Sequence, residues 1–137
     1  MSSPVPFNDA RARLQAADLG GYTFEWPNEP FTAPSPASLW FAVDMTSDML
    51  EPIELGGGVW VESGTLMVDV IVPLNWGTDV ARTAAKAVAD AFRGVTSGSL
   101  RYRTASIGSG GKDPERGKYW IMTVRVSWEY QDITSGA

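Results

Sequence analysis

The chain contains neither cysteine nor histidine. Disulfides, thiolate nucleophiles, Cys/His zinc sites and histidine-based triads are thereby excluded. Basic residues are in deficit: eleven Lys and Arg stand against sixteen Asp and Glu, giving a formal charge of -5 and a pI near 4.6. That balance argues against a surface built to grip phosphates, so nucleic acid is not expected as a sequence-specific ligand. No uninterrupted apolar run approaches the ~18 residues of a membrane span. Met1 to Asp9 lacks the basic start and apolar middle of a signal peptide. The expectation is a soluble protein assembled inside the cell, with no membrane partner. Absence of cysteine fits a reducing compartment and suits equally a particle released from the cell.

What is present suits one compact unit. The 137 residues, 44% of them hydrophobic, predict a single domain spanning 1–137, with 1–7 and 131–137 as flexible tails. Phe7 to Gly20 reads as a short amphipathic helix, capped by Asn8 and ended by Gly20-Gly21, with Ala10, Leu14 and Ala17 on its thin apolar side. Tyr22 to Trp26 alternates as a brief strand. Pro27 to Pro36 carries four prolines and forms a stiff loop, anchored by Trp26 and Phe31.

Leu39 to Met45 alternates as a strand, and a turn or excursion is expected from Thr46 to Pro52. Val59 to Glu62 and Thr65 to Val72 form a strand pair or one bent strand, broken at Ser63-Gly64; both faces of the longer run are apolar, which predicts a central strand. Thr78 to Arg93 is the clearest helix, capped by Thr78, with Val80, Ala84, Ala87, Val88, Ala91 and Phe92 as the stripe facing a sheet. Leu100 to Ile107 and the long run from Trp120 to Tyr130 complete the strands. The predicted fold is therefore α+β, a mixed or antiparallel sheet of about six strands with two helices, one packed on the sheet.

The search for chemistry yields little. Gly110-Gly111-Lys112 fails as a phosphate loop, because Ser106 stands where the first glycine belongs, Asp113 follows the lysine, and a strand follows instead of a helix. Asp44, Asp48, Glu51 and Glu54 form a loose acidic edge whose spacing matches no calcium loop. Arg101, Arg103 and Arg125 are explained by cross-strand pairing with Asp69 and Glu129. Serine without histidine would need a lysine partner, and no Ser-x-x-Lys occurs. No catalytic, cofactor-binding or metal-binding residue is assigned, and an enzyme is not expected. The long loop from Gly108 to Lys118 is the most basic stretch of an acidic chain, and loops of that length contact partners. Lys112, Arg116 and Lys118, with the aromatic residues Trp60, Trp26 and Phe31, are the candidate interface residues.

The order of the pieces carries a resemblance. An N-terminal helix is followed by Phe24-Glu25-Trp26-Pro27-Asn28-Glu29-Pro30-Phe31, then Ser63 to Pro73 with Gly77 opening a helix, and a closing Trp120-x-x-x-Val-x-Val-x-Trp strand. Over about residues 8 to 131 this resembles the tail terminator family of long-tailed bacteriophages and gene transfer agents. The segment from Thr46 to Gly58, with its triple glycine, departs from the pattern. The resemblance implies a structural virion protein at the tail-neck junction, assembled in a bacterial host. It implies a homohexameric ring that caps the head-proximal end of the tail tube, ends its polymerisation and joins tail to head. The implied partners are further copies of itself, the tail tube protein and a neck or head-tail connector protein, and DNA passes through the lumen without specific binding. Six copies would carry six times -5, or -30, which suits a wall that repels DNA. Another neck subunit, and a small monomeric domain binding a carbohydrate or peptide through exposed tryptophans, are the alternatives.

Overall fold

Three long alternating segments build the centre of the molecule. The computed structural model describes residues 3–52, 58–112 and 118–133. It pairs β2 (Trp40–Pro52), β3 (Val59–Pro73) and β7 (Tyr119–Ile133) as neighbouring antiparallel strands. On one side β1 (Thr23–Glu25) joins β2 in parallel; on the other lie β5 (Leu100–Ile107), β4 (Thr96–Ser97) and β6 (Gly111–Lys112), all antiparallel. The order is β1-β2-β3-β7-β5-β4, with β6 beside β7. The domain is thus α+β with a curled mixed sheet, its seventh strand coming from two-residue pieces that periodicity does not register.

One face of the sheet is the core. Phe41, Val43 and Met45 of β2, Leu66, Val68, Val70 and Val72 of β3, and Met122, Val124, Val126 and Trp128 of β7 are all buried there. The helices α1 (Pro4–Ala16) and α2 (Asp79–Phe92) contribute to the same core. Central placement of β3 follows from its apolar residues on both faces, as Ile71 and Val72 illustrate, each 1% exposed.

Several boundaries differ from the sequence reading, each for a local reason. The first helix begins at Pro4 and ends at Ala16, so residues 4–7 belong to it and Asn8 lies inside it; Ser3 is the N-cap, and proline suits the first helical position. The Ser3 backbone N–H donates to Oε2 of Glu62 at 3.0 Å. Glu62, 3% exposed, therefore holds the positive end of α1 onto β3. At the other terminus, residues 131–133 are strand, opposite Val59 to Val61.

No turn interrupts β2 at Thr46. A bulge between Ser47 and Met49 absorbs the extra residue, Asp48, and pairing with β3 continues to Pro52 opposite Trp60. Nor does β3 break at Ser63-Gly64. A Cβ on Gly64 would lie 1.8 Å from the Thr46 carbonyl oxygen and 2.8 Å from Trp128 Cζ2, so the glycine lets the strands run close beneath an indole ring.

In α2, Thr78 makes no side-chain cap; its Oγ1 instead accepts from Arg82 Nε at 3.2 Å. The fully inward residues are Ala81, Ala85, Val88, Ala89 and Phe92, while Val80, Ala84, Ala87 and Ala91 are half-buried. The expected stripe is rotated by part of a turn, because alanines on both flanks make the apolar arc wider than the contact.

Candidate interaction surface

The three long strands give the molecule two ends. Along β3, Trp60 and Val72 are twelve residues apart, facing Asp132 and Trp120 of β7. At about 3.3 Å per residue, that is roughly 40 Å. The candidate residues do not form one patch.

Lys112 and Lys118 lie at one end. Lys112 is exposed in β6, opposite Trp120, and Lys118 is exposed just before β7, its carbonyl accepting the Leu74 N–H at 3.0 Å. That bond brings Lys118 beside the turn after β3, where Trp76 is 40% exposed. Arg116 lies outside the described residues.

Trp60 lies at the other end, half-buried on an arm made by the outer parts of β2, β3 and β7. By register it shares a face with Leu50 and Glu62. Leu50 is 55% and Met49 51% exposed. These residues fall in the segment expected to turn; the bulge at Asp48 shifts the register by one residue, and three successive polar residues, Thr46 to Asp48, hide the continuation of the strand.

Trp26 and Phe31 pack internally. The Trp26 ring stacks on Phe24 with centroids 5.0 Å apart, meets Phe7 edge-on, and carries the Arg11 guanidinium 4.5 Å from its centroid. Arg11 also pairs with Glu29. Phe31 lies against Trp40, centroids 5.7 Å apart. Both rings fix the proline-rich loop to the sheet.

On the polar face opposite the helices one of the expected cross-strand ion pairs is present; among the described residues neither Arg101 nor Arg125 enters one. Arg103 pairs with Glu129 at 3.2 Å, and Asp69 accepts from Thr123 Oγ1 at 2.6 Å. Arg125 is exposed on that face. On the core side, Tyr102 donates to Asp9 Oδ2 at 2.7 Å, Ser97 donates to Asp9 Oδ1 at 3.0 Å, and Arg13 lies 3.5 Å from Asp9. Burial, and then the Asp9 carboxylate, raise the Tyr102 phenol far above its ordinary range. This cluster ties α1 to the β4–β5 hairpin. Such pairing of residues some ninety apart leaves no mark on local periodicity.

A cleft of about 360 Å³ runs between Leu19, Tyr22 and the half-buried side of α2; its two carboxylates, Asp18 and Asp79, are exposed. Among the described residues, no group of three or more acidic side chains is placed to hold a metal ion. Asp44, Asp48 and Glu51 are instead strung along β2, and Glu54 lies outside the described residues. Among those residues, no helix is long and apolar enough to cross a membrane.

Two solved structures share this architecture. A chain from the virion of a native gene transfer agent particle superposes with a TM-score of 0.62 at 17% identity, over 90% of this chain and 92% of its own. Another, of no stated function, gives 0.60 at 19% identity, over 93% and 89%. No curated protein matches the sequence. The sequence profile of phage tail terminator proteins matches residues 8–128. With nearly the whole described fold inside that match, the chain belongs to the phage tail terminator protein family and is a structural protein of a phage-type tail.

Proposed function

We propose that six copies of this protein close into a ring on the head-proximal end of a tail tube, stop the tube from lengthening, and join it to the head or its connector. The observation that carries the reading is the pair of unlike ends on one subunit. A cap must match the tube on one side and refuse a further tube subunit on the other. Here one end bears the exposed Lys112 and Lys118, and the other bears Leu50, Met49 and Trp60 on an apolar arm, roughly 40 Å away. A ring with all subunits pointing the same way presents six copies of each end on opposite faces.

In this reading Lys112, Arg116 and Lys118 contact one neighbour in the particle, and Trp60 contacts another. Trp26 and Phe31 hold the proline-rich loop in a shape that neighbouring subunits meet. The tail tube protein and a neck or connector protein are the flanking partners. DNA passes through the lumen without specific binding, helped by the net charge of -5 per subunit. The protein has no catalytic step to perform.

The test is to remove the chain from the cell that encodes it and image the particles. Tails of uncontrolled length and heads without tails are expected. Tails of normal length joined to heads would contradict the proposal.

A further inference from the structure

The charges of this chain are segregated. Residues 14–81 contain ten Asp and Glu and no Lys or Arg, whereas residues 93–125 hold seven of the eleven basic residues and two acidic ones. The sheet turns this linear asymmetry into a spatial one. Strands β1 and β2 form one side of it, β4, β5 and β6 the other, with β3 and β7 between.

Both sides also end in uncovered strand. β1 pairs β2 only from Trp40 to Ala42, so among the described residues no strand pairs with the outer side of β2 from Val43 to Pro52. On the far side β4 pairs only Leu100 and Arg101, and the preceding loop reaches Arg103, leaving Thr104 to Ile107 and then β6 as the outer edge. Uncovered strands carrying apolar side chains invite pairing with another chain.

The two edges complement each other. Along β2 the exposed Met49 and Leu50 stand among Asp44, Asp48 and Glu51. On the opposite edge the exposed Arg101 lies level with Met49 through Glu129 and Ser63, and Ile107, 41% exposed, follows it along β5. Among the described residues no ion pair engages any of these four charges, whereas Arg103 is committed to Glu129.

We infer that the acidic outer part of the β2 edge of one copy docks on the β5 edge of the next, where Arg101 lies level with Met49 across the sheet. Such a contact uses different patches on the two partners, and repeated by rotation it closes a ring. Like edges repel, so a two-fold dimer through either edge is disfavoured. The inference rests on the ring reading and names the surfaces by which subunits meet.

The test uses two charge-reversed chains, Asp48→Lys with Glu51→Lys, and Arg101→Glu, and reads oligomer mass by sedimentation equilibrium beside the wild type. Each reversed chain should melt like the wild type yet remain monomeric. An equimolar mixture should regain the wild-type mass, because every contact in an alternating ring is again between opposite charges. Reversed chains that associate as well as the wild type would overturn the edge assignment and leave the ring standing. A mixture that stays monomeric would overturn it too. A wild type that is monomeric throughout would remove the ring reading and this inference with it. If a reversal melts early, the neutral pair Asp48→Asn with Glu51→Gln takes its place, with an expected rise of about tenfold in dissociation constant; no change would refute the docking.

Discussion

Replacing Gly64 by alanine adds one methyl group where, among the described glycines, a Cβ would meet its nearest neighbour most closely. The new Cβ would sit 1.8 Å from the Thr46 carbonyl oxygen, where ordinary contact begins near 3.4 Å. Relieving that overlap requires movement of about 1.6 Å, a third of the ~4.8 Å between neighbouring strands. The ladder joining Thr46 and Ser47 to Gly64 and Thr65 would lengthen beyond bonding. Two or three lost hydrogen bonds at ~1 kcal/mol each, with the Trp128 indole displaced from its seat, amount to about 3–4 kcal/mol. The reduced freedom of the unfolded alanine chain offsets about 0.5 kcal/mol of this. For a domain of this size, each kcal/mol moves the midpoint by roughly 3 °C, so the variant should melt about 10 °C below the wild type. Gly111 provides the control: a Cβ there meets nothing within 4 Å, its φ lies outside the left-handed region, and Gly111→Ala should stay within about 1–2 °C. Thermal melts followed by circular dichroism make the comparison. A Gly64→Ala variant melting within ~2 °C of the wild type would refute the close-approach argument.

Val88, fully buried in α2, should not tolerate a charge; Val88→Asp is expected to lose cooperative melting, and a soluble variant with an unchanged curve would show that the helix packs by another face. The phenol of Tyr102 has its folded-state pKa raised above the ordinary 10.0, so its contribution to stability is present below pH 10 and is lost as pH rises beyond it, the unfolded chain releasing its proton first. Urea titrations from pH 8 to 11 should therefore show a steeper loss in the wild type than in Tyr102→Phe, and parallel profiles would contradict this. Replacing Lys112, Arg116 and Lys118 together by serine should leave the melting curve intact and impair particle assembly; normal particles would remove the basic loop from the interface.

The parts of the fold governed by local chemistry were legible in the sequence. The alternation of Leu66, Val68, Val70 and Val72 identified a central strand, and Asp79 to Phe92 showed a helix with an apolar side. Misreadings arose where a distant contact overrode a local signal. Ser63-Gly64 resembles a break, but its glycine answers to Trp128, far along the chain. Asn8 resembles a cap, yet Pro4 and the carboxylate of Glu62 start the helix earlier. The bulge at Asp48 shifted the alternation by one residue and disguised the continuation of β2, which concealed Met49 and Leu50 as exposed apolar residues. Candidate surface residues were legible as residue types and not as a patch. Trp60 and Lys112 look alike as loop-adjacent contacts in the sequence, and only the registers of β3 and β6 against β7 place them at opposite ends.

The central claim is that the subunit closes a six-membered ring. Sedimentation equilibrium of the purified chain from micromolar to millimolar concentration tests it most directly. The account predicts a shift from 14.8 kDa toward six times that mass, about 89 kDa, with no species beyond it. A monomer at every concentration, or an assembly that stops at two subunits, would contradict it.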